Sequence, residues 1–417
     1  MNNTAIHIIP VIIGADLNCY NVARAFHEEY GVISEAFGRY EISATMGSRI
    51  IHFHCVPNLD TDEVFLTEMN AFAAAHPDKS DKLILIGCTD DYANLIARHR
   101  AALGDRFIIP YNDIKLMNEF MSKERFYQCC DKHSILYPKT VIVKANEPLS
   151  PDAYEEHTLG FSYPIIVKPS NSVLYWKYPF PHMHKVYVSE TPKQTKEIVD
   201  TIFASGYHDS IILQDQIPGN DSGMYVLTAY CDKNAKVRMM CLGHVLLEEH
   251  TPKGRGNHAA IITEYQPELC EKFRAFLEDI GYVGYANFDI KYDPRDNTCR
   301  AFEVNLRQGR SNFYVTSAGE NIARYLVRDY VYDDLGDTVH ICKNEVLWCS
   351  IPKSIVYHYT HNDTLVTHAK KLVKEGKANT SLWYKKDLSG NIKRIFYVAA
   401  AQYRHFKKYK TYCKDYH

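Results

Sequence analysis

Four polar side chains of a predicted β-hairpin have the types and spacing of a metal–phosphate site. The segments "YANFDIKYD" and "CRAFEVNLR" are typical of two strands, and "PRDNT" between them is a turn-forming cluster. If residues 294–298 form the loop, Asp289 lies opposite Glu303, and because side chains alternate along a strand, Asn305 and Arg307 share their face. The other face, towards a core, then carries Phe288, Ile290, Phe302, Val304 and Leu306.

Directly opposed carboxylates repel by roughly 0.2–1 kcal/mol unless a cation lies between them. Mg²⁺ is the obvious candidate, because it prefers a few carboxylates together with nucleotide phosphates. Asn305 would add a neutral carbonyl oxygen, and Arg307 can hold a phosphate through two hydrogen bonds. The alternative interpretation is a solvent-facing strand in which Arg307 balances the acids, and the hairpin alone favours neither.

Two lysines and one turn could serve a nucleotide. Lys168 ends the buried run of "YPIIVKPS", where an ammonium group can meet phosphates as a point charge. Lys123, in the upstream "MNEFMSKERFYQCC", is a second candidate. The stretch "LQDQIPGND" ends a strand in a Pro-Gly turn whose backbone groups suit adenine, and Asp221 could accept hydrogen bonds from ribose. Each feature taken alone is more typical of a solvated lysine or an ordinary turn.

Composition narrows the class of protein. The chain has 417 residues, more than one core usually organises, and 48 Lys+Arg stand against 50 Asp+Glu. This balance gives no global charge for nucleic acid. The N-terminus lacks a basic signal region, and no apolar run approaches the length of a membrane span. Twelve cysteines without CxxC pairs suggest reduced, mostly buried thiols, so we expect a cytoplasmic protein with no integral membrane segment and no nucleic-acid partner.

The order of elements predicts an α/β protein. "IHIIPVIIGAD" and "LNCYNVARAFHEEYG" form a strand and a helix closed by Gly31, and "KLILIGCTDDYANLIARHRAALG" repeats that plan. Such units favour a parallel sheet with ligands at the carboxyl ends of its strands. A helical stretch from Asp113 to about Asp131 leads into a second β-containing section, in which Thr191 and Pro192 open a helix.

These features, in this order, resemble the ATP-grasp superfamily. Its pattern is a lysine before a small lobe, a lysine on a small-lobe strand, a hinge ending in Ile-Pro-Gly, an acid, and then Glu-x-Asn-x-Arg. The resemblance covers about residues 10 to 332. Within the superfamily, "PVIIGADLNCYNVARAFHEEYG", "IVKPSNS", "EEHTPKGRGNHAAIIT" and "EVNLRQGRSNFYVTSAG" are similar to bacterial D-aspartate ligases.

The sequence departs from the superfamily pattern in two places. Many members cover the triphosphate with a glycine-rich loop, whereas residues 169–184 contain no glycine and are rich in aromatic residues. A lid built on them would have a less permissive backbone. The hinge carries Gln214-Asp215-Gln216 where a glutamate is commoner, which leaves the individual adenine contacts open.

The resemblance implies a fold and a set of site residues. The fold would be α/β: an N-terminal Rossmann-like pre-ATP-grasp domain (residues 1–113), a linker helix with a small α+β lid lobe (114–217), a larger mixed-sheet lobe with the metal site (218–335) and a C-terminal extension (336–417). Metal ligands for Mg²⁺ or Mn²⁺ would be Asp289, Glu303 and Asn305. Implied ATP-binding residues are Lys123, Lys168, Ser170, Gln214, Asp215, Gln216, Ile217 and Asp221. Implied catalytic residues are Arg307, Arg310, Ser311 and, from the "PKGRG" loop, Lys253 and Arg255.

The implied activity is an ADP-forming ligation. ATP would convert the side-chain carboxylate of an amino acid, D-aspartate by resemblance, into an acyl phosphate for attack by an amine, the lysine side chain of a peptidoglycan precursor. The basic tail (Arg404, Lys407, Lys408 and Lys410) could help bind that anionic acceptor, although a solvated helix face is the commoner reading of such a run. Alternatives are a ligase for another amino acid or acceptor, and a nucleotide-binding regulator without catalysis. A homodimer is left open.

Overall fold

The computed structural model describes residues 6–147, 149–251 and 254–413. The chain divides into two units: a larger one made of Met1–Ile114, Asn220–Phe288 and Asn305–His417, and a smaller one made of Lys115–Gly219 and Asp289–Val304. The division falls inside both strands of the predicted hairpin. Our expected division into four segments stays a prediction.

The N-terminal part of the larger unit is a parallel α/β sheet with strand order β3-β2-β1-β4-β5. Its strands are β1 (His7–Ile13), β2 (Ser34–Gly38), β3 (Ile51–Cys55), β4 (Asp81–Gly87) and β5 (Phe107–Ile108). Its helices are α1 (Leu17–Tyr30), α2 (Asp62–Ala75), α3 (Asp90–Arg98) and α4 (Arg100–Leu103), followed by the 3₁₀ turn Gly104–Arg106. The predicted parallel sheet is thereby confirmed.

Helix α1 shows how local sequence sets these elements. The Asp16 side chain caps its start by accepting hydrogen bonds from the backbone N–H groups of Asn18 and Cys19. Gly31 ends it in the left-handed conformation, with φ of 69°. Strands β2 and β4 lie on opposite sides of β1, so the carboxyl ends of β1 and β4 form the switch point where open α/β sheets bind ligands.

The smaller unit is built on an antiparallel sheet with strand order β6-β9-β7-β8. Its elements are α5 (Ile114–Met121, beginning at the boundary), α6 (Lys123–Lys132), β6 (Thr140–Val143), the 3₁₀ turn Pro151–Tyr154, α7 (Glu156–Leu159), β7 (Ile165–Pro169), α8 (Ser172–Tyr175), β8 (Tyr187–Ser189), α9 (Pro192–Ala204) and β9 (Ile211–Asp215). The helix predicted from Asp113 to Asp131 is wrong in one respect: it breaks at Ser122, which has an extended backbone and places Lys123 at the start of α6.

A mixed sheet has the strand order β14-β13-β10-β11-β12-β16-β17, with β15 pairing β11. Most of its strands belong to the larger unit, whereas the end of β13 from Asp289 and β14 up to Val304 belong to the smaller one. The strands of this sheet are β10 (Met224–Cys231, after the 3₁₀ turn Asp221–Gly223), β11 (Val237–Glu248), β12 (His258–Glu264), β13 (Gly284–Asp293), β14 (Thr298–Asn305), β15 (His340–Ile341), β16 (Leu347–Cys349) and β17 (Ala378–Thr380). Helices α10 (Pro267–Asp279), α11 (Phe313–Ser317) and α12 (Ile322–Val327) accompany it, and a π-helical turn spans Arg328–Tyr332. Strands β13 and β14 confirm the predicted hairpin.

Four helices follow in the C-terminal part: α13 (Lys353–Tyr359), α14 (Asp363–Lys374), α15 (Lys385–Leu388) and α16 (Ile392–Tyr412). None of the described helices combines the length with the apolar composition that a membrane span requires. All twelve cysteines are described and are free thiols, ten of them buried, as their spacing predicts.

Candidate active site

The two predicted phosphate lysines lie in the smaller unit beside Glu303. The Lys123 ammonium group donates to Glu303 Oε2 at 2.8 Å. Lys168, near the end of β7, holds its Nζ 5.5 Å from the centroid of the Phe302 ring. Phe302 is only partly buried, so this side chain, which we expected to join a core, forms part of the surroundings of Lys168 instead. Helix α6 and strands β7 and β14 therefore bring two cations and one carboxylate together.

The charges in this cluster shift one another. Burial, together with the nearby Lys123 and Lys185, lowers the pKa of Lys168 to about 7, while Glu303 and Asp289 act in the opposite direction. The Lys123 ammonium, opposed by burial and assisted by Lys185 and Lys168, holds the pKa of Glu303 well below its usual range. The cluster thus holds an ionised carboxylate beside two lysines, and burial disfavours the charged form of one of them. An anionic ligand would favour that charged form.

The donor chemistry of the hairpin fits a divalent cation. Asp289 and Glu303 both act on the pKa of Lys168, so the two carboxylates lie in the same electrostatic neighbourhood. Asn305 is the last residue of β14, two residues beyond Glu303. In the described ranges there is no group of three or more His, Cys, Asp or Glu side chains able to hold a metal. A site of two carboxylates and one amide oxygen, with the remaining ligands supplied by phosphates and water, is what Mg²⁺ commonly uses.

The predicted adenine hinge follows β9 in the same unit. The Gln214 amide donates to the Tyr127 hydroxyl at 2.8 Å and the Thr140 hydroxyl at 2.9 Å. Asp215 accepts two hydrogen bonds from the Arg295 guanidinium, at 3.1 and 2.6 Å. These two side chains are therefore engaged within the protein, and contacts to a base at these positions would fall to the backbone.

Two further hinge residues differ in their bonding. The Gln216 Oε1 atom is buried and has no hydrogen-bond partner among the described residues. The Ile217 carbonyl accepts from the Lys291 ammonium at 3.0 Å. An unsatisfied buried acceptor is costly, so Gln216 is the hinge side chain best placed to gain from a donor on a ligand. Ser170, one residue past β7, is buried, and its N–H donates to the Ser210 carbonyl at 2.9 Å.

Asp221, the predicted ribose acceptor, lies in the larger unit. Its carboxylate accepts from the Glu248 N–H at 2.9 Å and lies 2.7 Å from His250 Nε2. It therefore ties the start of β10 to the end of β11, and the ribose role stays a prediction.

The segment after β14 is held over the carboxyl ends of β1 and β4. The buried Asn312 amide donates to Asn18 Oδ1 at 2.7 Å, and the Asn18 amide donates to the Cys88 carbonyl at 2.8 Å. The Gln308 amide donates to the Gly87 carbonyl at 2.9 Å. Buried amide pairs of this kind are expensive to break, so residues 307–312 are fixed at the switch point of the first sheet.

Two arginines project from this fixed segment. Arg307 donates to Asp90 Oδ2 at 2.8 Å and to the Gln308 carbonyl at 2.9 Å. Arg310 lies 2.9 Å from Glu249 and 3.8 Å from Asp16. Both guanidinium groups are thereby oriented by carboxylates that follow the carboxyl ends of strands, which is an arrangement that can present arginine to an anionic substrate.

The remaining predicted catalytic residues are Ser311, Arg255 and Lys253. Ser311 is buried, and its carbonyl accepts from the Tyr314 N–H at 3.1 Å. Arg255 is exposed in the loop between β11 and β12, where its N–H donates to the Thr251 carbonyl. Lys253 lies outside the described residues.

Sequence reasoning missed several members of these clusters. Lys185 acts on both Lys168 and Glu303, and its position shortly before β8, the strand that pairs with β7, was a signal that could have found it. Asp16 and Glu249 orient Arg310 from loops far away in sequence. No spacing rule connects such residues, because only the fold brings them together.

Solved structures share this architecture at low sequence identity. The chain superposes on the ADP complex of N5-carboxyaminoimidazole synthetase from Staphylococcus aureus with a TM-score of 0.57 and 14% identity, covering 83% of each chain. The L-amino acid ligase from Bacillus licheniformis gives a TM-score of 0.54 at 15% identity, covering 79% of this chain and 77% of that one. These likenesses confirm the predicted ATP-grasp fold.

The sequence relationship is closer. No protein-family model matches the chain. It is 39% identical over 409 residues to the D-aspartate ligase of Enterococcus faecium (strain Aus0004), covering 97% of this chain and 96% of that protein. The fold and this relationship define an ATP-dependent ligase that forms a carbon–nitrogen bond. The chain belongs to the D-aspartate ligase family.

Proposed function

We propose that this chain uses ATP to activate the side-chain carboxylate of D-aspartate and joins it to the lysine side-chain amine of a peptidoglycan precursor, releasing ADP and phosphate. The name of its Enterococcus faecium relative supports the amino acid. The observation that carries the chemistry is the cluster of Lys123, Lys168 and Glu303, with Asp289 in the same electrostatic neighbourhood.

A carboxylate needs activation before an amine can attack it. The carboxylate oxygen attacks the γ-phosphorus of ATP, the bond from that phosphorus to the bridging oxygen breaks, and ADP leaves. The amine nitrogen then attacks the acyl carbon, the carbon–oxygen bond to phosphate breaks, and the nitrogen loses a proton to give the amide. Phosphoryl transfer of this kind needs positioning and charge stabilisation rather than a protein nucleophile.

The smaller unit would hold the nucleotide. In our assignment Lys123 and Lys168 neutralise phosphate charge, because phosphate beside them would favour the charged form of Lys168, which burial and Lys123 disfavour in the free protein. The hinge residues Gln214 to Ile217 take the adenine, with the unsatisfied Gln216 oxygen accepting from its amino group. Ser170 would contact the phosphates. Asp221, which belongs to the larger unit, keeps its predicted role as ribose acceptor.

Asp289, Glu303 and Asn305 would hold Mg²⁺ or Mn²⁺. Bound there, the ion would offset phosphate charge and fix the orientation of the phosphate chain. The ionised state of Glu303, maintained by Lys123, fits that role.

The larger unit would hold the amino acid. Arg307 would stabilise the phosphoryl group during transfer, and Arg310, with Ser311 beside it, would orient the carboxylate. Their fixed backbone and their carboxylate partners support this assignment. Lys253 and Arg255 would cover the acyl phosphate from the loop between β11 and β12.

The test is ADP release from a panel of D- and L-amino acids, with and without a lysine-bearing acceptor. We expect turnover with D-aspartate that depends on the acceptor, and a product whose mass equals both substrates minus water. Turnover with another amino acid would support the ligase activity but assign it a different substrate. ATP binding without turnover for every pair would favour the non-catalytic regulator. The cytoplasmic location and the homodimer remain predictions.

A further inference from the structure

The outward side of the C-terminal helix α16 is both apolar and basic. We call the outer α16 face the set of residues Ile392, Phe396, Tyr403, Phe406, Lys407 and Lys410. Ile392, Phe396 and Tyr403 are 83%, 69% and 75% exposed. Their spacing of four and seven residues places them along one line of a helix, opposite the buried Val398, Ala401 and Tyr409. Large apolar side chains exposed in a row usually mark an interaction surface.

Buried polar anchors fix the rotation of α16. The Arg394 guanidinium, fully buried, donates to Asp387 Oδ2 at 2.9 Å and to the Ala44 carbonyl at 2.8 Å. The Gln402 amide donates to the Ser350 carbonyl at 2.9 Å. Rolling the outer face inward would break these bonds and expose the cavity they fill, so the apolar stripe is held outward.

The charge of the helix has one sign. Within Ile392–Tyr412 there are six Lys or Arg residues and no Asp or Glu, although the whole chain has a formal net charge of −2. Arg394 is neutralised inside the protein by Asp387, and the other five cations are exposed. The segment that precedes the helix adds two exposed cations, Lys385 and Lys386, and one exposed aromatic residue, Trp383.

Charge complementarity distinguishes between three candidate partners for this face: a second copy of the chain, the acceptor substrate and a lipid bilayer. A second copy related by a twofold axis would set the same cations against each other. A nucleotide-linked acceptor needs polar contacts in a concave site, and it gains little from Ile392 and Phe396 on the convex side of a helix. A bilayer with anionic headgroups satisfies both features, because its headgroups attract the lysines and its interface takes up aromatic rings.

We propose that the outer α16 face binds the surface of an anionic phospholipid bilayer. Ile392, Phe396 and Tyr403 enter the interface between headgroups and acyl chains, and Lys407 and Lys410 lie among the phosphates. The helix lies on the surface and does not cross it. This inference stands apart from the proposed ligase reaction, since none of the apolar residues belongs to the candidate active site.

The experiment is co-sedimentation of the full chain with vesicles of equal parts phosphatidylglycerol and phosphatidylcholine, compared with phosphatidylcholine alone. We expect binding to the anionic vesicles only, with a bound fraction that falls as salt is raised. Lys407→Glu with Lys410→Glu should weaken partitioning by at least about 25-fold, at about fivefold for each cation. Phe396→Ser with Tyr403→Ser should weaken it by at least about tenfold and leave ligase turnover in solution unchanged.

Matched controls test whether the effects belong to this face. Tyr40→Ser removes an exposed tyrosine elsewhere on the larger unit. Lys371→Glu with Lys374→Glu makes the same charge change at the same spacing on α14. Both controls should bind vesicles like the unmodified protein, and thermal unfolding should show that all variants are folded.

Three results would overturn the proposal. One is failure of the vesicle assay itself, seen as no binding to anionic vesicles at low salt or as equal losses in the control variants. Another is a dimer in sedimentation that Phe396→Ser with Tyr403→Ser dissociates, which would make the face a subunit interface. The third is unchanged vesicle binding by Lys407→Glu with Lys410→Glu together with a raised KM for the acceptor, which would assign these lysines to the substrate.

Discussion

Two clusters of charged side chains in this molecule, one buried and one partly exposed, are built in opposite ways. In the larger unit, the Asp387 carboxylate accepts from the Tyr20 hydroxyl at 2.8 Å, the Arg49 N–H at 2.7 Å and Arg394 Nε at 2.9 Å. Arg394 in turn donates to the carbonyls of Ser43, Ala44 and Met46. In the smaller unit, two lysines lie close enough that Lys123 lowers the pKa of Lys168.

We interpret the difference as one between a structural cluster and the cluster to which we assign the proposed function. Asp387 and Arg394 saturate each other, and together they tie the C-terminal helices to the loop after β2. Lys168 has surroundings that disfavour its own charge, a condition that a phosphate ligand would relieve. Removing one member of a fully hydrogen-bonded, buried ion pair leaves an uncompensated charge, whereas like charges held together by the fold indicate a ligand.

The largest effect is expected from breaking the structural cluster. Arg394→Met leaves the buried Asp387 carboxylate without its cation, so we expect a loss of about 3–5 kcal/mol in the free energy of unfolding. Urea denaturation measures it. Arg404→Met, on the exposed side of the same helix, should change the stability by no more than about 0.5 kcal/mol. Equal losses in the two variants would contradict the structural role of the pair.

Breaking the functional cluster should cost activity rather than stability. Glu303→Ala removes a proposed metal ligand, and we expect kcat to fall at least about a hundredfold, with unfolding in urea little changed. Asp296→Ala, on the turn of the same hairpin, removes an exposed carboxylate and should retain activity. Full activity of Glu303→Ala would contradict the assignment of Glu303 as a metal ligand.

Nucleotide binding should take up a proton. The free protein has a Lys168 pKa of about 7, and phosphate charge beside the ammonium would raise it. Above pH 7 the free lysine is mostly neutral, so nucleotide binding protonates it. The affinity for the nucleotide should therefore fall with rising pH, by at most about tenfold per pH unit. Calorimetry of ADP binding in buffers of different ionisation enthalpy measures the uptake.

Lys168→Met serves as the matched variant for that measurement. It should bind ADP more weakly and take up less proton at the same pH. Identical proton uptake by the variant and the unmodified protein would show that another group titrates.

The smallest effect is expected at a partly exposed ion pair. Arg324 and Glu29 are joined by two hydrogen bonds, at 2.7 and 2.9 Å, but both side chains reach solvent. Arg324→Met should cost at most about 1 kcal/mol in urea denaturation, because water screens the pair. A cost equal to that of Arg394→Met would mean that burial does not set the strength of these pairs.

Local sequence patterns predicted the helices and strands well, and the burial of individual side chains less well. The β13–β14 hairpin, the Gly31 end of α1 and the Thr191 cap of α9 follow from turn residues and hydrogen-bonding side chains near in sequence. The break at Ser122 was missed because the apolar pattern continues through it. The partly buried state of Phe302 was missed because alternation along a strand does not say what covers each face.

By itself the sequence determined the residue types and spacings from which we predict phosphate and metal binding, since these are local properties of one strand or turn. Tertiary structure alone decided that Lys123 meets Glu303 across 180 positions, that Asp16 and Glu249 orient Arg310, and that α16 shows its apolar side to solvent. The physical reason is that pKa values, ion pairs and exposure depend on distances through space, which the chain sets only when its cores pack.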